Sequence, residues 1–214
     1  MLELGLKFTV AYLLGSVLGS LVIGQLSGGV DIRTLGSGNA GGTNALRTQG
    51  RAFALWVMVI DVGKGIAAVA LLPELSLPGV GLDAEVSRDL VLYAVAFAAI
   101  LGHVYPLWYD FKGGKGGATA AGVICFLAPQ VGIGIIVLWL IIVLLTGYVG
   151  LATMTAAIVA AAYVAMTVLP EPTGLLAFTV ATAVLIAYTH RSNIQRMRNG
   201  TEVRMGPRYR RRQP

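Results

Sequence analysis

From Gly116 to Pro170 the chain carries no charged side chain for 55 residues. A helix needs about 20 predominantly apolar residues to cross the hydrocarbon core of a bilayer. This run is therefore long enough for two long crossings or three short ones. Phe8–Val30 and Leu90–Tyr109 are likewise free of formal charge. Only 12% of the residues are charged, about half the share of a soluble domain. The runs are continuous rather than alternating, which predicts an all-α polytopic membrane protein and excludes a β-barrel. Phe8–Val30 reads as a span rather than a cleavable leader, because it is long and Glu3 offsets Lys7 in front of it. The single cysteine, Cys125, lies in an apolar stretch and offers no disulfide framework.

Pro129 and the pair Gly147 and Gly150 are the natural breaks in the long run. They predict helices near Gly117–Leu127, Val131–Leu145 and Leu151–Leu169, the first of them short for a span. With Leu4–Leu26, Ala52–Leu72, Leu90–Tyr109 and Gly174–Tyr188 the expectation is about seven transmembrane helices. Cationic residues collect on the cytoplasmic side. An odd number of crossings puts Arg33, Arg47, Arg51, Lys112, Lys115 and the C-terminal arginines on one face. The expected topology is an N-terminus outside and a C-terminus in the cytoplasm. It gives one transmembrane domain, 1–203, with three cytoplasmic motif loops, and a basic tail, 204–214. Gly15, Ser16, Gly19 and Ser20 in the first helix suit close helix packing in lipid.

The three polar segments carry the chemistry. The first reads Gly36-Ser37-Gly38-Asn39-Ala40-Gly41-Gly42-Thr43-Asn44, followed by Arg47. Its glycines match G-x-G-x-x-G in form, but a membrane helix precedes them where a dinucleotide site needs a strand. Hydroxyls, amides and backbone N–H groups at this density are donors for a phosphate or an acyl oxyanion. The second segment runs from His103 through Lys112, Gly113, Gly114, Lys115 and Gly116. Its glycines let backbone N–H groups turn toward one point, and two ammonium groups beside such a nest suit phosphate. Lys115 is followed by Gly116, so this is not a nucleotide-binding P-loop. The third segment gathers His190, Arg191, Asn193, Arg196 and Glu202. Arg204–Arg212 reads as a tail that solvent or lipid phosphates satisfy. Asp61 and Lys64, three apart inside a membrane helix, are either an orienting ion pair or part of a site.

Three signatures together resemble one family. They are D-I-R-x-x-G-S-G-N-x-G-x-T-N from Asp31, G-H-x-x-P-x-x-x-x-F-K-G-G-K-G from Gly102, and H-R-x-N-I-x-R-x-x-x-G-x-E from His190. The chain is similar over nearly its whole length to the bacterial PlsY family, acyl-phosphate:glycerol-3-phosphate acyltransferases of the cell membrane. The resemblance implies transfer of a fatty acyl group from acyl phosphate to the 1-hydroxyl of glycerol 3-phosphate. The products are lysophosphatidate and phosphate, in the first acylation of phospholipid synthesis. It implies no metal, no cofactor and no acyl-CoA, and a location in the bacterial inner membrane. A soluble enzyme that forms the acyl phosphate is the implied partner, and no nucleic acid is expected. The family usually carries an arginine and a serine near the turn where this chain has Gly147 and Gly150; Thr153 still offers a hydroxyl there.

The expected roles follow from charge and donor type. Ser37, Lys115, His190 and Asn193 are the candidate catalytic residues. Gly36, Gly38, Asn39, Gly41, Thr43, Asn44, Arg47, His103, Lys112, Gly113, Gly114, Gly116 and Arg191 are the candidate substrate and phosphate ligands. His190, His103, Asp110 or a substrate phosphate can accept the proton of the attacking hydroxyl. His103 lacks the carboxylate five positions on that an acyl-CoA-type acyltransferase motif would need, since Trp108 stands there. A transporter of phosphate or an organophosphate would also want a cationic membrane site, although the chain shows no internal repeat.

Overall fold

The computed structural model describes residues 1–168 and 173–206, and among them every regular element is a helix. The chain forms two compact units, Met1–Leu127 and Ala128–Pro214. Most of the tail expected from residue 204 lies outside the described residues.

The first unit contains α1 (Leu2–Gly15), α2 (Gly19–Leu26), α3 (Gly42–Thr48), α4 (Arg51–Leu71), α5 (Arg88–Val104) and α6 (Gly117–Leu127). Helix α4 is central and packs against α1, α2, α3, α5 and α6. Helix α1 lies along α5, where a Cβ on Gly15 would overlap the Ala99 backbone and one on Gly102 would overlap the Tyr12 carbonyl. Such close backbone approach is what replaces the hydrophobic effect as a driving force between helices in lipid.

The first membrane segment is not the single helix that its composition predicts. It breaks between Gly15 and Gly19 and bends by 45°. A break inside hydrocarbon strands backbone groups, and each must find a partner. Helix α4 supplies them. Lys64 Nζ donates to the Val17 carbonyl at 2.6 Å, and the Gly19 N–H donates to Asp61 Oδ1 at 3.1 Å. The pair Asp61–Lys64 thus stands in for the hydrogen bonds that the helix gives up.

The second unit contains α7 (Pro129–Thr146), α8 (Val149–Val168), α9 (Gly174–Thr189) and α10 (Arg191–Arg198). Helix α8 packs against both α7 and α9. Ile133, Val137, Leu140, Leu144 and Leu145 on α7 are exposed, an apolar stripe that fits lipid rather than water.

Among the described residues four helices are long and apolar enough to cross a membrane, or six if the bent pairs α1–α2 and α9–α10 each count once. The protein is a multi-pass helical membrane protein. Helix α6, with 11 residues, rises about 16 Å against a hydrocarbon core of about 30 Å and falls short of a span. The other boundaries match expectation closely. The exception is α5, which stops at Val104 because Pro106 disfavours helix at the residue before it.

Candidate active site

In the first unit, the loop after α2 and the turn after α5 are built into one structure. Asp31 caps a 3₁₀ turn, Ile32–Thr34, by accepting from the Arg33 N–H. The side chain of Arg33 then makes the decisive links. Its Nε and Nη2 bind the Asp31 carboxylate, while Nη1 donates to the Tyr109 carbonyl at 3.3 Å and to the Lys112 carbonyl at 3.2 Å. Its guanidinium also lies 5.7 Å from the centroid of the Tyr109 ring. The Arg33 guanidinium holds the Asp31 carboxyl below the usual carboxylate range, and Asp31 in turn raises Arg33. One residue clamps the first motif onto the second. Asp31 and Arg33 stand in the first signature, but nothing in the sequence gives them a ligand role. Their short spacing was the only local signal, since the carbonyls they reach are more than 70 residues away.

The first loop is shaped from inside by Asn44. Its amide is 1% exposed. Nδ2 donates to the Ile32 and Leu35 carbonyls, and Oδ1 accepts from the Ser37 N–H at 3.0 Å. Expected as a substrate ligand, Asn44 is occupied by the loop itself. Gly36 has φ of 56°, and a Cβ there would run into Asn44 Oδ1, so only glycine fits. Ser37 and Gly38 are exposed as a result, with Asn39 and Gly41 half-buried beside them. Thr43 and Arg47, one helical turn apart on α3, follow directly, Thr43 half-buried and Arg47 exposed.

The lysine turn is folded back on the end of α5. The Gly114 N–H donates to the His103 carbonyl and the Gly113 N–H to the Val104 carbonyl. Those two N–H groups, expected to face phosphate, instead close the turn. A Cβ on Gly114 would overlap the His103 imidazole, so the backbone lies flat against the ring. Asp110 and Phe111 take left-handed φ of 55° and 56°, a costly conformation for a non-glycine residue that surrounding contacts must enforce. The Arg33 bonds on either side of them do so. Lys112 is exposed, Lys115 half-buried and Gly116 buried at φ of 83° just before α6.

His103 is placed differently from expectation. It is 2% exposed, and its Nδ1 lies 2.9 Å from Lys64 Nζ. Lys64 has three acceptors, Val17 O, Asp61 Oδ1 and His103 Nδ1. They match the three protons of an ammonium group, and His103 Nδ1 also lies 3.4 Å from Asp61 Oδ1. With Thr119 Oγ1 donating to the Asp61 backbone carbonyl, this is a buried polar core under the turn, in which Asp61 Oδ2 has no hydrogen-bond partner among the described residues. His103 Nδ1 is engaged in this core.

The third motif belongs to the second unit. His190 joins α9 to α10 and is 5% exposed. Its Nδ1 lies 2.8 Å from the Ile186 carbonyl, which can only accept, so Nδ1 carries the proton and Nε2 is the basic nitrogen. Asn193 Nδ2 donates to Glu202 Oε1 at 2.7 Å, and Arg196 Nε donates to Glu202 Oε2 at 2.6 Å. Arg191 is exposed and stacks on Tyr188, 4.4 Å from its centroid. Thr153, expected to offer a hydroxyl at the neighbouring turn, bonds the Val149 carbonyl and accepts from Trp139.

These features define a class, an integral membrane protein with cationic, donor-rich loops built on rigid helices. Known proteins resolve the class further. The family described as glycerol-3-phosphate acyltransferase matches residues 6–200. Glycerol-3-phosphate acyltransferases of Coxiella burnetii, Synechococcus elongatus and Aquifex aeolicus are 37%, 38% and 39% identical, over 92%, 93% and 91% of this chain and 95%, 93% and 95% of theirs. The crystal structure of PlsY (YgiH), an integral membrane glycerol 3-phosphate acyltransferase, in its glycerol 3-phosphate form is similar with a TM-score of 0.82 and 36% identity, over 98% of this chain and 99% of that one. Its lysophosphatidic acid form gives a TM-score of 0.80 at 36% identity, over 96% and 97%. The chain belongs to the glycerol-3-phosphate acyltransferase family.

Proposed function

We propose that this protein is a glycerol-3-phosphate acyltransferase that takes its acyl group from a fatty acyl phosphate. The glycerol 3-phosphate 1-hydroxyl attacks the carbonyl carbon. The carbon–oxygen bond to phosphate breaks, and lysophosphatidate and inorganic phosphate leave. An acyl phosphate is already activated, so the protein has to position two anionic substrates, neutralise the leaving phosphate and stabilise the oxyanion. Lys112, Lys115 and Arg47 serve phosphate. Ser37, Asn39 and the Gly38 backbone donate to phosphate or the oxyanion. His190, Arg191 and Asn193 serve glycerol 3-phosphate, and His190 Nε2 takes the hydroxyl proton.

The observation that carries this reading is the Arg33 clamp. It fixes the Ser37 loop and the lysine turn as one end of the first unit, and it neutralises Asp31 in doing so. That end holds Arg33, Arg47, Arg51, Lys112 and Lys115 against Asp31 and Asp110 alone. Positive residues favour the cytoplasmic side, which supports a site facing the cytoplasm from the bacterial inner membrane. A soluble acyl-phosphate-forming enzyme is then the natural supplier.

The test uses purified protein in detergent or lipid with glycerol 3-phosphate and either palmitoyl phosphate or palmitoyl-CoA. Lysophosphatidate and free phosphate are expected with palmitoyl phosphate only. Product from palmitoyl-CoA instead overturns the donor, and product from neither overturns the enzyme.

A further inference from the structure

Residues 199–206, after α10, fold back rather than running off freely. The chain reverses at Gly200, where φ is 70°. Thr201 and Glu202 N–H groups both donate to the Arg196 carbonyl. Glu202 is 8% exposed, with one oxygen on Asn193 and the other on Arg196. Two residues on, the Met205 N–H donates to the Gly147 carbonyl at 2.7 Å, and the Arg204 guanidinium sits 4.7 Å from the centroid of the Tyr148 ring. The same turn touches Asn193 through Gly150, where a Cβ would stand 3.0 Å from the Asn193 side chain. Residues 201–205 therefore form a strap from α10 to the α7–α8 turn, and Asn193 meets both Glu202 of the strap and Gly150 of the turn.

We infer that Arg204 is a phosphate-contacting residue, a guanidinium that the strap seats on Tyr148 at the turn that packs on Asn193. The inference rests on the proposed acyltransferase reading and adds a ligand for the phosphate monoester of glycerol 3-phosphate. A guanidinium held against a ring presents a planar fork of N–H donors whose geometry matches two phosphate oxygens. Stacking also settles the side chain before substrate arrives, so less rotamer freedom is lost on binding. Glu202, the carboxylate of the strap, is itself engaged by Asn193 and Arg196. A phospholipid headgroup presents the same phosphate chemistry, so the experiment separates the two sources.

Kinetics are measured on the full chain, in a neutral detergent and in vesicles with and without phosphatidylglycerol. Arg204→Gln is expected to raise KM for glycerol 3-phosphate about tenfold or more, the loss of a charge-assisted hydrogen bond, with kcat and the unfolding midpoint little changed. Arg204→Lys should recover part of the loss, because it keeps the charge without the planar fork. Tyr148→Leu, which leaves the charge and removes the seat, should raise KM by a smaller factor. These two variants carry the test if Arg204→Gln fails to fold. An unchanged KM in detergent, with a loss only in phosphatidylglycerol vesicles, assigns Arg204 to lipid and overturns the inference. Unchanged kinetics everywhere overturn it too. If the wild type has no acyltransferase activity, the underlying reading has failed, and calorimetric binding of glycerol 3-phosphate decides on Arg204 alone. Weaker binding by Arg204→Gln then sustains the phosphate contact, and equal binding removes it.

Discussion

The first unit has two polar ends, and they use their charges in opposite ways. The end formed by residues 1–7 and 73–89 holds Glu3, Glu74, Asp83, Glu85 and Asp89 with Lys7 and Arg88. There the key groups saturate one another. Arg88 binds both oxygens of Glu3 at 2.9 Å, Lys7 binds Glu3 at 2.8 Å and the Pro73 carbonyl at 2.6 Å, and the Asp83 N–H donates to Glu3. Glu3 and Lys7 are each 2% exposed. The other end inverts the balance, with five cations to two carboxylates, and leaves Ser37, Gly38, Arg47 and Lys112 exposed. A charged cluster that completes itself is architecture. The cationic end, with three more positive than negative side chains on a hydrogen-bonded frame, suits an anionic ligand.

The largest expected effect comes from between the two ends. Lys64→Ala would leave Asp61, 1% exposed, without its ammonium partner and Val17 O without a donor. Breaking a buried pair costs about 3–5 kcal/mol, so unfolding in detergent should show a loss of that order. The double variant Asp61→Asn with Lys64→Met should restore part of it, since an uncharged replacement leaves no orphan charge. A stable Lys64→Ala protein lacking only turnover would move the pair from the frame into the chemistry.

Lys115→Ala sharpens the contrast from the cationic end. Removing one donor to developing negative charge typically costs about 10²–10³ in kcat. A loss on that scale is expected, with the unfolding midpoint near that of the wild type. A large fall in the midpoint would instead make the lysine turn architecture. Glu3→Gln is the mirror experiment. It removes the charge on which Lys7 and Arg88 converge, so the midpoint should fall while KM for both substrates stays unchanged. A changed KM would break the division between the ends.

How much of this was legible follows from where each cause lies in the chain. Span positions were readable because an uncharged run is a local property. The end of α5 was readable in principle from Pro106 alone. That end frees the His103 and Val104 carbonyls, and these are the groups that draw Gly113 and Gly114 inward, so the expected phosphate nest is smaller than its glycine count. The break at Val17 was not legible. No proline marks it, and its partners stand on α4, 42 and 47 residues away. Asn44 and His103 stand out in the sequence as candidate substrate ligands, and a buried polar side chain needs partners of some kind. Sequence could not say whether those partners would be substrate or backbone, and for both residues they are protein groups.

The smallest expected effect concerns the clamp that assembles the cationic end. Arg33 holds Asp31 below the usual carboxylate range through direct hydrogen bonds. The folded pKa is depressed, so the contribution of the pair is complete above the unfolded carboxylate's pKa of about 4 and is lost as pH falls through the lower folded value. Between pH 5 and 9 the clamp should therefore add no inflection to the activity profile. An inflection in that window that disappears in Asp31→Asn would break this assignment. Asp31 is 37% exposed, and solvent screening keeps an exposed pair weak, below about 1 kcal/mol. Asp31→Asn should accordingly cost little stability, while loosening the two motifs enough to raise KM by a small factor. If Asp31→Asn instead matched Lys115→Ala in lost turnover, Asp31 would be part of the chemistry, and the cationic end would hold a carboxylate with a task of its own.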